Sequence, residues 1–367
     1  RAMELKGKKV LVFGAGISGT GSCRLLEAAG ARVILHDGNE KLDTEKMKEK
    51  LGEDSRVEIR LGAFPEEELP HLDLVVLSPG VPTDLPVVNR MHEMGIPVWG
   101  EIELAWVCGK GDVLGITGTN GKTTTTTLLG EIIKNAFPSA FVVGNIGMPY
   151  TESALDTRED SVTVAELSSF QLESIHTFRP RVSAILNITP DHLNRHHTME
   201  AYIGAKLNIT KNQTAEDVCV LNYEDETTRK MAEKVNARVL FFASGHKLEQ
   251  GIYLEDDAII YKPGKDREGI LVCRTGELQL LGVHNYENVM AAVAMAAAYG
   301  VDMEIIRSTV KAFRGVEHRI EFVAEKNGVA WYNDSKGTNP DAAIKGIQAM
   351  VRPTILIGGG YDKQSDF

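Results

Sequence analysis

Short β-branched runs alternate with helical stretches along this chain, and the alternation restricts the folds that it can adopt. KKVLVFG and ARVILHD flank a helix expected from about Gly19 to Ala29, and LDLVVLSPG adds a further strand. A second block repeats the pattern with DVLGIT, SVTVAEL and SAILNIT and closes with the alanine-rich helix NVMAAVAMAAAYG. Such alternation is typical of a parallel sheet with crossover helices. The expected fold class is α/β, with a Rossmann-like N-terminal part.

Three domains are expected. A chain of 367 residues with 43% apolar residues can bury a large core and is long enough to divide. We predict a Rossmann-like domain at 1–98, a central domain with a parallel sheet and a phosphate loop at 99–314, and the start of a second Rossmann-like domain at 315–367. That last range offers strand GVAWYNDS, a helix from about Pro340 to Met350 and strand PTILIGGG. These are too few strands for an independent layer, so this domain is expected to be incomplete.

Charge and composition argue against several classes of partner. The net charge of −11 disfavours nucleic acid and membrane surfaces, which bind basic faces. No apolar run approaches the roughly 20 residues of a bilayer span, and no signal peptide is evident, so a cytoplasmic protein is expected. The four cysteines are far apart in sequence and form no C-x-x-C pair, which favours reduced core thiols over a zinc site.

The first glycine-rich turn lies between a strand and a helix. Gly14 to Gly19 match G-x-G-x-x-G, and Asp37 ends the next strand. Glycines let the backbone approach a diphosphate at the helix N-terminus, and the carboxylate can accept a ribose hydroxyl. Any nucleotide diphosphate would satisfy this arrangement, and a tight turn without a ligand is the alternative.

A second glycine-rich turn, GITGTNGKTTTTT, departs from the pattern G-x-x-x-x-G-K-[ST] because Ile116 stands where the first glycine is expected. The remaining glycines allow close approach to an anion, Lys122 can reach the terminal phosphates, and the Thr123 hydroxyl is placed to bind magnesium. We interpret the turn as a phosphate loop with one extra residue. A Gly/Thr turn that merely starts a helix is the alternative.

Polar residues follow the two strands after this loop. Glu166 ends SVTVAEL, where an acid is costly unless it is paired or bound to a metal, and it is a candidate magnesium ligand. Its alternative role is a carboxylate at a helix N-terminus. Asp191 or His192 follows SAILNIT and can face the same strand-end crevice, although a lone histidine is often structural. By residue pattern alone, Lys206 would be a surface lysine with a buried stem.

A series of motifs runs through the chain in a fixed order: GITGTNGKTTTT, AELSSFQLE, NITPDHLNRH, AYIGAKLNI, GVHNYENVMAA, HRIEFV, NDSKGTNPDA and LIGGGYDKQSDF. In this series the chain resembles the Mur ligase family over essentially its whole length, and the extra loop residue is the family's own form of the motif. The resemblance implies an ATP-driven amide ligation in peptidoglycan synthesis. The strings ELSSFQLE and SPG favour, within the family, addition of D-glutamate to UDP-N-acetylmuramoyl-L-alanine. Similar ligases continue beyond Phe367 and carry further D-glutamate contacts there.

The resemblance also implies roles for individual residues. The catalytic residues would be Lys122, His192 and Lys206. ATP would bind to Gly118, Thr119, Asn120, Gly121, Lys122, Thr123, Thr124, Asn285, Asn288, Arg319 and Asp334. The UDP substrate would contact Ile17, Ser18, Asp37, Gly38, Gly80, Asn145 and His192. D-glutamate would contact Lys336, Thr338 and Lys363. Magnesium, at two sites, would be bound by Thr123, Glu166, His192 and Lys206. Lys206 would be carbamylated, and Asn285 and Asn288 have an alternative role as helix caps.

Other classes of function compete with this interpretation. A nicotinamide-dependent oxidoreductase could use the Gly14 to Gly19 turn but would leave the second loop unexplained. A nucleotide-binding regulatory protein would not need Glu166, His192 and Lys206 together. Within the family, a tripeptide-forming ligase or a folylpolyglutamate synthetase is the nearer rival. The expected partners are small molecules only, and the expected state is a monomer.

Overall fold

The computed structural model describes residues 4–144 and 148–361. The chain divides into two compact units. The first unit comprises 1–112, 143–161 and 167–179, and the second comprises 113–142, 162–166 and 180–367. The C-terminal range 315–367, expected as a separate domain, groups with the second unit in this division. The three predicted domain ranges stay a prediction.

The first unit is built on a parallel sheet of five strands in the order β3-β2-β1-β4-β5. Its strands are β1 (Lys9–Phe13), β2 (Arg32–Asp37), β3 (Glu58–Leu61), β4 (Leu74–Leu77) and β5 (Val98–Gly100). Its helices are α1 (Ile17–Ala28), α2 (Thr44–Leu51), α3 (Pro86–Glu93), α4 (Glu101–Cys108), α6 (Tyr150–Ser153) and α7 (Ser169–Leu172). Central strand β4 is a continuous apolar run, and β1 is apolar after Lys9, because both faces of a parallel sheet are buried. The Rossmann-like expectation for this part is confirmed, and α1 begins two residues before the predicted start.

The second unit contains most of a nine-stranded sheet in the order β14-β13-β12-β11-β10-β9-β6-β8-β7. Its strands are β6 (Asp112–Thr117), β7 (Ala140–Gly144), β8 (Val162–Glu166), β9 (Val182–Ile185), β10 (Val218–Asn222), β11 (Arg238–Ala243), β12 (Gly251–Glu255), β13 (Ala258–Lys262) and β14 (Ile270–Arg274). Its helices are α5 (Lys122–Ala136), α8 (Leu193–His196), α9 (Met199–Leu207), α10 (Glu226–Met231), α11 (Val283–Tyr299), α12 (Met303–Ala312) and α13 (Pro340–Gln348). Parallel pairing links β6, β9, β10, β11 and β12, whereas β12, β13 and β14 pair antiparallel.

Helix α11 forms the centre of the core in this unit. Every residue from Val289 to Ala296 is fully buried, and α11 packs against α5 and the sheet. Alanines on all sides let neighbouring elements approach closely, so the helix shows no polar face along this stretch. No helix among the described residues is long and apolar enough to cross a membrane.

The C-terminal segment differs from the sequence prediction. GVAWYNDS forms β16 (Val329–Asn333), and it pairs antiparallel with β15 (Glu321–Lys326), a strand that the sequence pattern does not predict. The predicted strand PTILIGGG is wrong. Within 4–144 and 148–361 that stretch pairs with no strand, and Ile355 and Ile357 are 93% and 82% exposed. An apolar run forms a strand only where a neighbour offers its backbone groups in register.

The turn between β1 and α1 requires glycine at a close approach of two backbone segments. A Cβ on Gly19 would lie 1.8 Å from the carbonyl oxygen of Gly14, whereas a Cβ on Gly16 would meet nothing within 4 Å. Gly16 also has an ordinary φ of −71°. Of Gly16 and Gly19, only Gly19 therefore excludes a side chain on steric grounds.

We expect Gly19→Ala to lower the unfolding free energy of the first unit by about 1–3 kcal/mol, because the turn must open to accept the methyl group. Gly16→Ala is the matched control and should change it by less than about 1 kcal/mol. Urea unfolding followed by tryptophan fluorescence measures both. Equal stability of the two variants would contradict the turn geometry.

Candidate functional site

The second glycine-rich turn joins β6 to α5 in a conformation that needs its glycines. Gly118 and Gly121 have φ values of +147° and +88°. A Cβ on Gly121 would lie 2.2 Å from Oδ1 of Asn288, so a side chain there would strain the backbone and also displace the Asn288 amide. No side chain among the described residues caps the start of α5. The N–H groups of its first turn are therefore available to an anion, as the sequence predicts.

Asn187, just beyond β9, holds the backbone of this turn. Its Oδ1 accepts from the backbone N–H groups of Thr119 at 3.1 Å and Asn120 at 2.8 Å. Its Nδ2 donates to the Asn120 carbonyl at 2.9 Å. The hydroxyl of Tyr202 lies 2.9 Å from Oγ1 of Thr119. Sequence reasoning missed Asn187 and Tyr202, although a polar residue directly after an apolar strand was a usable signal for the first.

Two lysines share one acceptor at the turn. Nζ of Lys122 donates to the carbonyl oxygen of Gly118 at 2.8 Å, and Nζ of Lys206 donates to the same oxygen at 2.6 Å. Lys206 is 1% exposed, so the alternative of a surface lysine is wrong. Burial lowers the pKa of both amines, and the charge of Lys122 lowers the pKa of Lys206 further. A larger fraction of the Lys206 amine is therefore neutral than in an exposed lysine.

Glu166 ends β8 beside these amines. Oγ1 of Thr123 donates to its Oε1 at 3.3 Å, and the residue is 3% exposed. Burial raises the pKa of the carboxyl, while the charges of Lys122, Lys336 and Lys206 and the Thr123 hydrogen bond oppose that rise. The next helix, α7, has its own side-chain cap at Ser168. Ser168, and not Glu166, therefore caps α7, and the alternative of Glu166 as a carboxylate at a helix N-terminus stays open.

His192 and its neighbour Asp191 follow β9. Nε2 of His192 lies 3.7 Å from Oδ2 of Asp191, and His192 is exposed with φ +53°. The charge of Asp191 raises the pKa of Lys122 and Lys206 against the effect of burial. Within the described ranges, no group of three or more His, Cys, Asp or Glu residues is arranged to bind a metal ion. The predicted magnesium ligands therefore stay a prediction.

The threonine run that follows Lys122 divides between two environments. Thr124, Thr125 and Thr126 are buried, and Thr127 donates to the Thr123 carbonyl at 2.7 Å. The buried hydroxyls of Thr125 and Thr126 have no hydrogen-bond partner among the described residues. Packing therefore accounts for the middle of the run, and the Thr124 phosphate contact stays a prediction.

Asn285 and Asn288 lie on the first turns of α11 and do not cap it. Nδ2 of Asn285 donates to the Leu281 carbonyl at 2.8 Å, and Nδ2 of Asn288 lies 3.4 Å from Oδ1 of Asn285. Because no side chain caps this helix start among the described residues, the alternative of helix caps is wrong. Asn288 instead lies against Gly121 of the phosphate loop.

The predicted residues of the C-terminal segment are partly paired with one another. Nη1 of Arg319 lies 3.3 Å from Oδ1 of Asp334, which also accepts from the backbone N–H of Ile320 at 3.1 Å. Lys336 and Thr338 are exposed. The charge of Lys336 lowers the pKa of Glu166. Lys336 and Thr338, the predicted contacts with D-glutamate, are therefore exposed, and the charge of Lys336 acts on the Glu166 carboxylate.

In the first unit, Asp37 stabilises the first glycine turn. Its Oδ2 accepts from the backbone N–H of Ala15 and its Oδ1 from that of Asn39, both at 2.9 Å. The other predicted contacts with the UDP substrate are exposed or half-buried: Ile17, Ser18, Gly38 and Gly80. Asn145 and Lys363 lie outside the described residues. The diphosphate site at this turn stays a prediction, with the tight turn as its alternative.

Comparison with known families matches two parts of the chain. Residues 116–296 match the model of the Mur ligase middle domain, and residues 8–100 match that of the Mur ligase MurD-like N-terminal domain. A relative from Lachnoclostridium phytofermentans is 58% identical over 365 residues, which are 100% of this chain and 80% of that protein. A relative from Clostridioides difficile is 48% identical over 366 residues with the same coverage. Both are named UDP-N-acetylmuramoylalanine--D-glutamate ligase.

Solved structures share the fold at low sequence identity. A pseudomurein peptide ligase type C from Methanothermus fervidus gives a TM-score of 0.55 at 21% identity, covering 95% of this chain and 78% of that one. MurF from Acinetobacter baumannii gives 0.57 at 18% identity, covering 95% and 69%. The α/β architecture is therefore shared with these ligases.

A buried histidine near the start of α11 generates a pH prediction. His284 is 8% exposed, and its Nε2 has no hydrogen-bond partner among the described residues. Burial first, then the charges of Arg319 and Lys345, lower its pKa from 6.5 to about 4, and Asp341 opposes them. As pH falls below about 6.5, the unfolded chain takes up the proton before the folded chain does.

His284 should therefore lower the unfolding free energy by roughly 3 kcal/mol as the pH falls from about 6.5 to about 4. Below pH 4 this residue should cause no further fall. His284→Gln should flatten that dependence without abolishing it, since burial also lowers the pKa of His196 to about 4. Urea unfolding at a series of pH values measures it, with His92→Gln at an exposed position as the control. An unchanged slope in His284→Gln would contradict the assignment.

Proposed function

The chain belongs to the Mur ligase family, and from this premise we propose that it joins D-glutamate to UDP-N-acetylmuramoyl-L-alanine in an ATP-dependent, ADP-forming reaction of peptidoglycan synthesis. The observation that carries the proposal is the phosphate loop, where Lys122 and the buried Lys206 meet on the Gly118 carbonyl beside the Glu166 carboxylate. The relatives that bear this activity in their names match the whole chain at up to 58% identity.

The loop supplies the chemistry that activates a carboxylate. At neutral pH a carboxylate is a poor electrophile, so its oxygen first attacks the γ-phosphorus of ATP, ADP leaves, and an acyl phosphate forms. Backbone N–H groups at the start of α5 and the Lys122 amine offset the charge that spreads over the phosphoryl oxygens. Gly118 to Thr124 would hold the triphosphate, and Asn285, Asn288, Arg319 and Asp334 would surround the rest of ATP.

Magnesium fits the donors at this loop. Thr123, Glu166, His192 and Lys206 would hold it at two sites, and the Thr123 hydroxyl and the buried Glu166 carboxylate lie 3.3 Å apart as hard oxygen donors. Magnesium held by these residues would supply positive charge that offsets the charge of the phosphates. The buried Glu166 carboxylate also needs a cation near it, which is consistent with this role.

Lys206 meets the requirements of a carbamylated lysine. Carbamylation needs a neutral amine, which attacks carbon dioxide and loses a proton, and burial beside Lys122 favours the neutral form of Lys206. The product is an anion, which relieves the like-charge contact with Lys122 and offers oxygens to a cation.

The second step joins the two substrates. The amine of D-glutamate attacks the acyl carbon, the new amide bond forms, and inorganic phosphate leaves. Lys336, Thr338 and Lys363 would receive the carboxylates of D-glutamate, for which cations are suited. Ile17, Ser18, Asp37, Gly38, Gly80, Asn145 and His192 would contact the UDP substrate. Holding acyl phosphate and amine in place can remove roughly 7–11 kcal/mol of the barrier.

The wider setting follows from these substrates. All are small polar molecules, so no nucleic acid or membrane partner is required, and a cytoplasmic monomer with domains at 1–98, 99–314 and 315–367 is proposed. An oxidoreductase would use the first glycine turn but would leave Lys122, Glu166 and Lys206 without a role.

Phosphate release tests the function directly. The chain is incubated with ATP, magnesium and UDP-N-acetylmuramoyl-L-alanine, and with D-glutamate, L-glutamate, L-lysine or meso-diaminopimelate as the amine. A second protein is assayed in parallel, in which this chain is fused to the part of the L. phytofermentans relative that lies outside the alignment. We expect release with D-glutamate only. Release with another amino acid, or NADH binding in place of ATP in a fluorescence titration, would overturn the proposal.

Lys122→Ala should reduce phosphate release by at least about a hundredfold, the scale of a lost transition-state contact. Lys134→Ala is the matched control, because Lys134 is an exposed lysine near the end of the same helix, α5. Normal phosphate release by Lys122→Ala would refute the role of the loop.

Carbamylation of Lys206 predicts a specific label. After incubation with ¹³C-bicarbonate, the protein should show one carbamate signal in its ¹³C spectrum that is missing from Lys206→Arg, since a guanidinium does not form a stable carbamate. Retention of the signal in Lys206→Arg, or no signal in the parent chain, would contradict the proposal.

A further inference from the structure

The side chain of Asn120 points away from the phosphate loop and contacts the start of α13. Its Nδ2 donates to Oδ2 of Asp341 at 2.6 Å, and its Oδ1 accepts from Nδ2 of Asn339 at 2.7 Å. More than two hundred residues of sequence separate the partners, with separations of 221 and 219. All three residues belong to the second unit.

The hydrogen-bonding pattern of this contact has one consistent orientation. A carboxylate can only accept, so the amide nitrogen of Asn120 must face Asp341 and its oxygen must face Asn339. Oδ1 of Asn339 is already engaged, because it caps α13 by accepting from the N–H of Ala342 at 2.9 Å. Asp341 is held in turn by Lys345 at 3.2 Å.

The backbone of Asn120 is as constrained as its side chain. Asn187 binds both its N–H and its carbonyl, at 2.8 and 2.9 Å. Asn120 therefore has little freedom to follow α13, and a change in the loop backbone would be transmitted through the amide to the helix. Thr338 directly precedes the cap residue Asn339, and Lys336 lies two residues earlier.

We propose that Asn120, Asn339 and Asp341 are positioning residues that couple the nucleotide-bound conformation of the phosphate loop to the position of α13, and thereby to Lys336 and Thr338. The proposal rests on the proposed function for the identity of the amino acid, but the coupling itself does not require it. None of the three side chains needs to touch the reacting atoms. Their effect is to place the amino-acid segment when the loop is filled.

Hydrogen exchange of α13 tests the coupling without any turnover. With the magnesium complex of AMP-PNP, the amides of 340–348 should exchange at least about fivefold more slowly in the parent chain, because loop and helix become ordered together. Asp341→Ala should abolish that protection while leaving the Kd of AMP-PNP within about twofold, since Asp341 does not belong to the loop.

Conservative and matched variants separate this role from a structural one. Asp341→Asn retains an acceptor oxygen and should keep the protection despite losing the charge. Ile344→Ala truncates an exposed residue of the same helix, 52% exposed, and should behave like the parent. Asn339→Ser keeps a hydroxyl that can cap α13 but removes the donor to Asn120, and it should also lose the protection. This variant tests the coupling separately from any weakening of the helix that Asp341→Ala causes.

Steady-state kinetics gives the second readout. Asp341→Ala should raise KM for D-glutamate about tenfold, the scale of one hydrogen bond to a charged group, and leave KM for ATP within about twofold. Asn120→Ala combined with Asp341→Ala should have no larger effect on KM for D-glutamate than Asn120→Ala alone.

Protection of α13 by AMP-PNP that persists in both Asp341→Ala and Asn339→Ser would overturn the coupling, as would a parent chain that binds AMP-PNP without protection of α13. Failure of the proposed function looks different, because no D-glutamate-dependent phosphate release would then occur in the parent chain or in the fusion, while the exchange results could still hold.

Discussion

Two lysine amines meet on one carbonyl oxygen, and the site depends on that contact. Lys206 is buried and Lys122 is half-buried, and both donate to the Gly118 carbonyl, although two charged amines at this range would repel each other and desolvation disfavours the charged form of each. Carboxylates of Glu166 and Asp191 act in the opposite direction. The balance leaves amine donors at the start of α5, where the N–H groups of the helix already favour an anion. In a chain of net charge −11, this local arrangement supports the polyphosphate contact proposed above.

The frame around this charge cluster is polar and comes from several strand ends. Asn187 fixes the loop backbone from the end of β9, Tyr202 of α9 holds Thr119, and Glu166 reaches in from β8. Because these groups belong to different elements, the geometry of the loop depends on the positions of both the sheet and α9. The hydrogen bond from Asn120 to Asp341 also connects the loop to α13. The loop is therefore the point at which the proposed nucleotide and amino-acid contacts can influence each other.

The sequence predicted those parts of the site that depend on local chemistry. Gly118 and Gly121 adopt φ values that favour glycine, and Glu166 is an acid at the end of an apolar strand. Their roles can therefore be recognised from the few residues around them in the sequence. The burial of Lys206 cannot be recognised from the residues around it in α9, and only the family resemblance indicated its role. Asn187, Asp341 and Asn339 were missed because their function lies in contacts across 67 to 221 residues of sequence. The strand expected at PTILIGGG was wrong for a related reason, since pairing depends on a neighbour and not on β propensity alone.

The central claim is that the loop activates a carboxylate by phosphoryl transfer before the amine attacks. Positional isotope exchange tests it most directly. ATP labelled with ¹⁸O in the β,γ-bridge is incubated with magnesium, UDP-N-acetylmuramoyl-L-alanine and the protein, with no amino acid present. Reversible acyl-phosphate formation frees the β-phosphate to rotate, so the account predicts that label moves into non-bridging positions only when the UDP substrate is present. Amide formation on addition of D-glutamate, without any such exchange beforehand, would contradict the account if ADP remains free to rotate in the site.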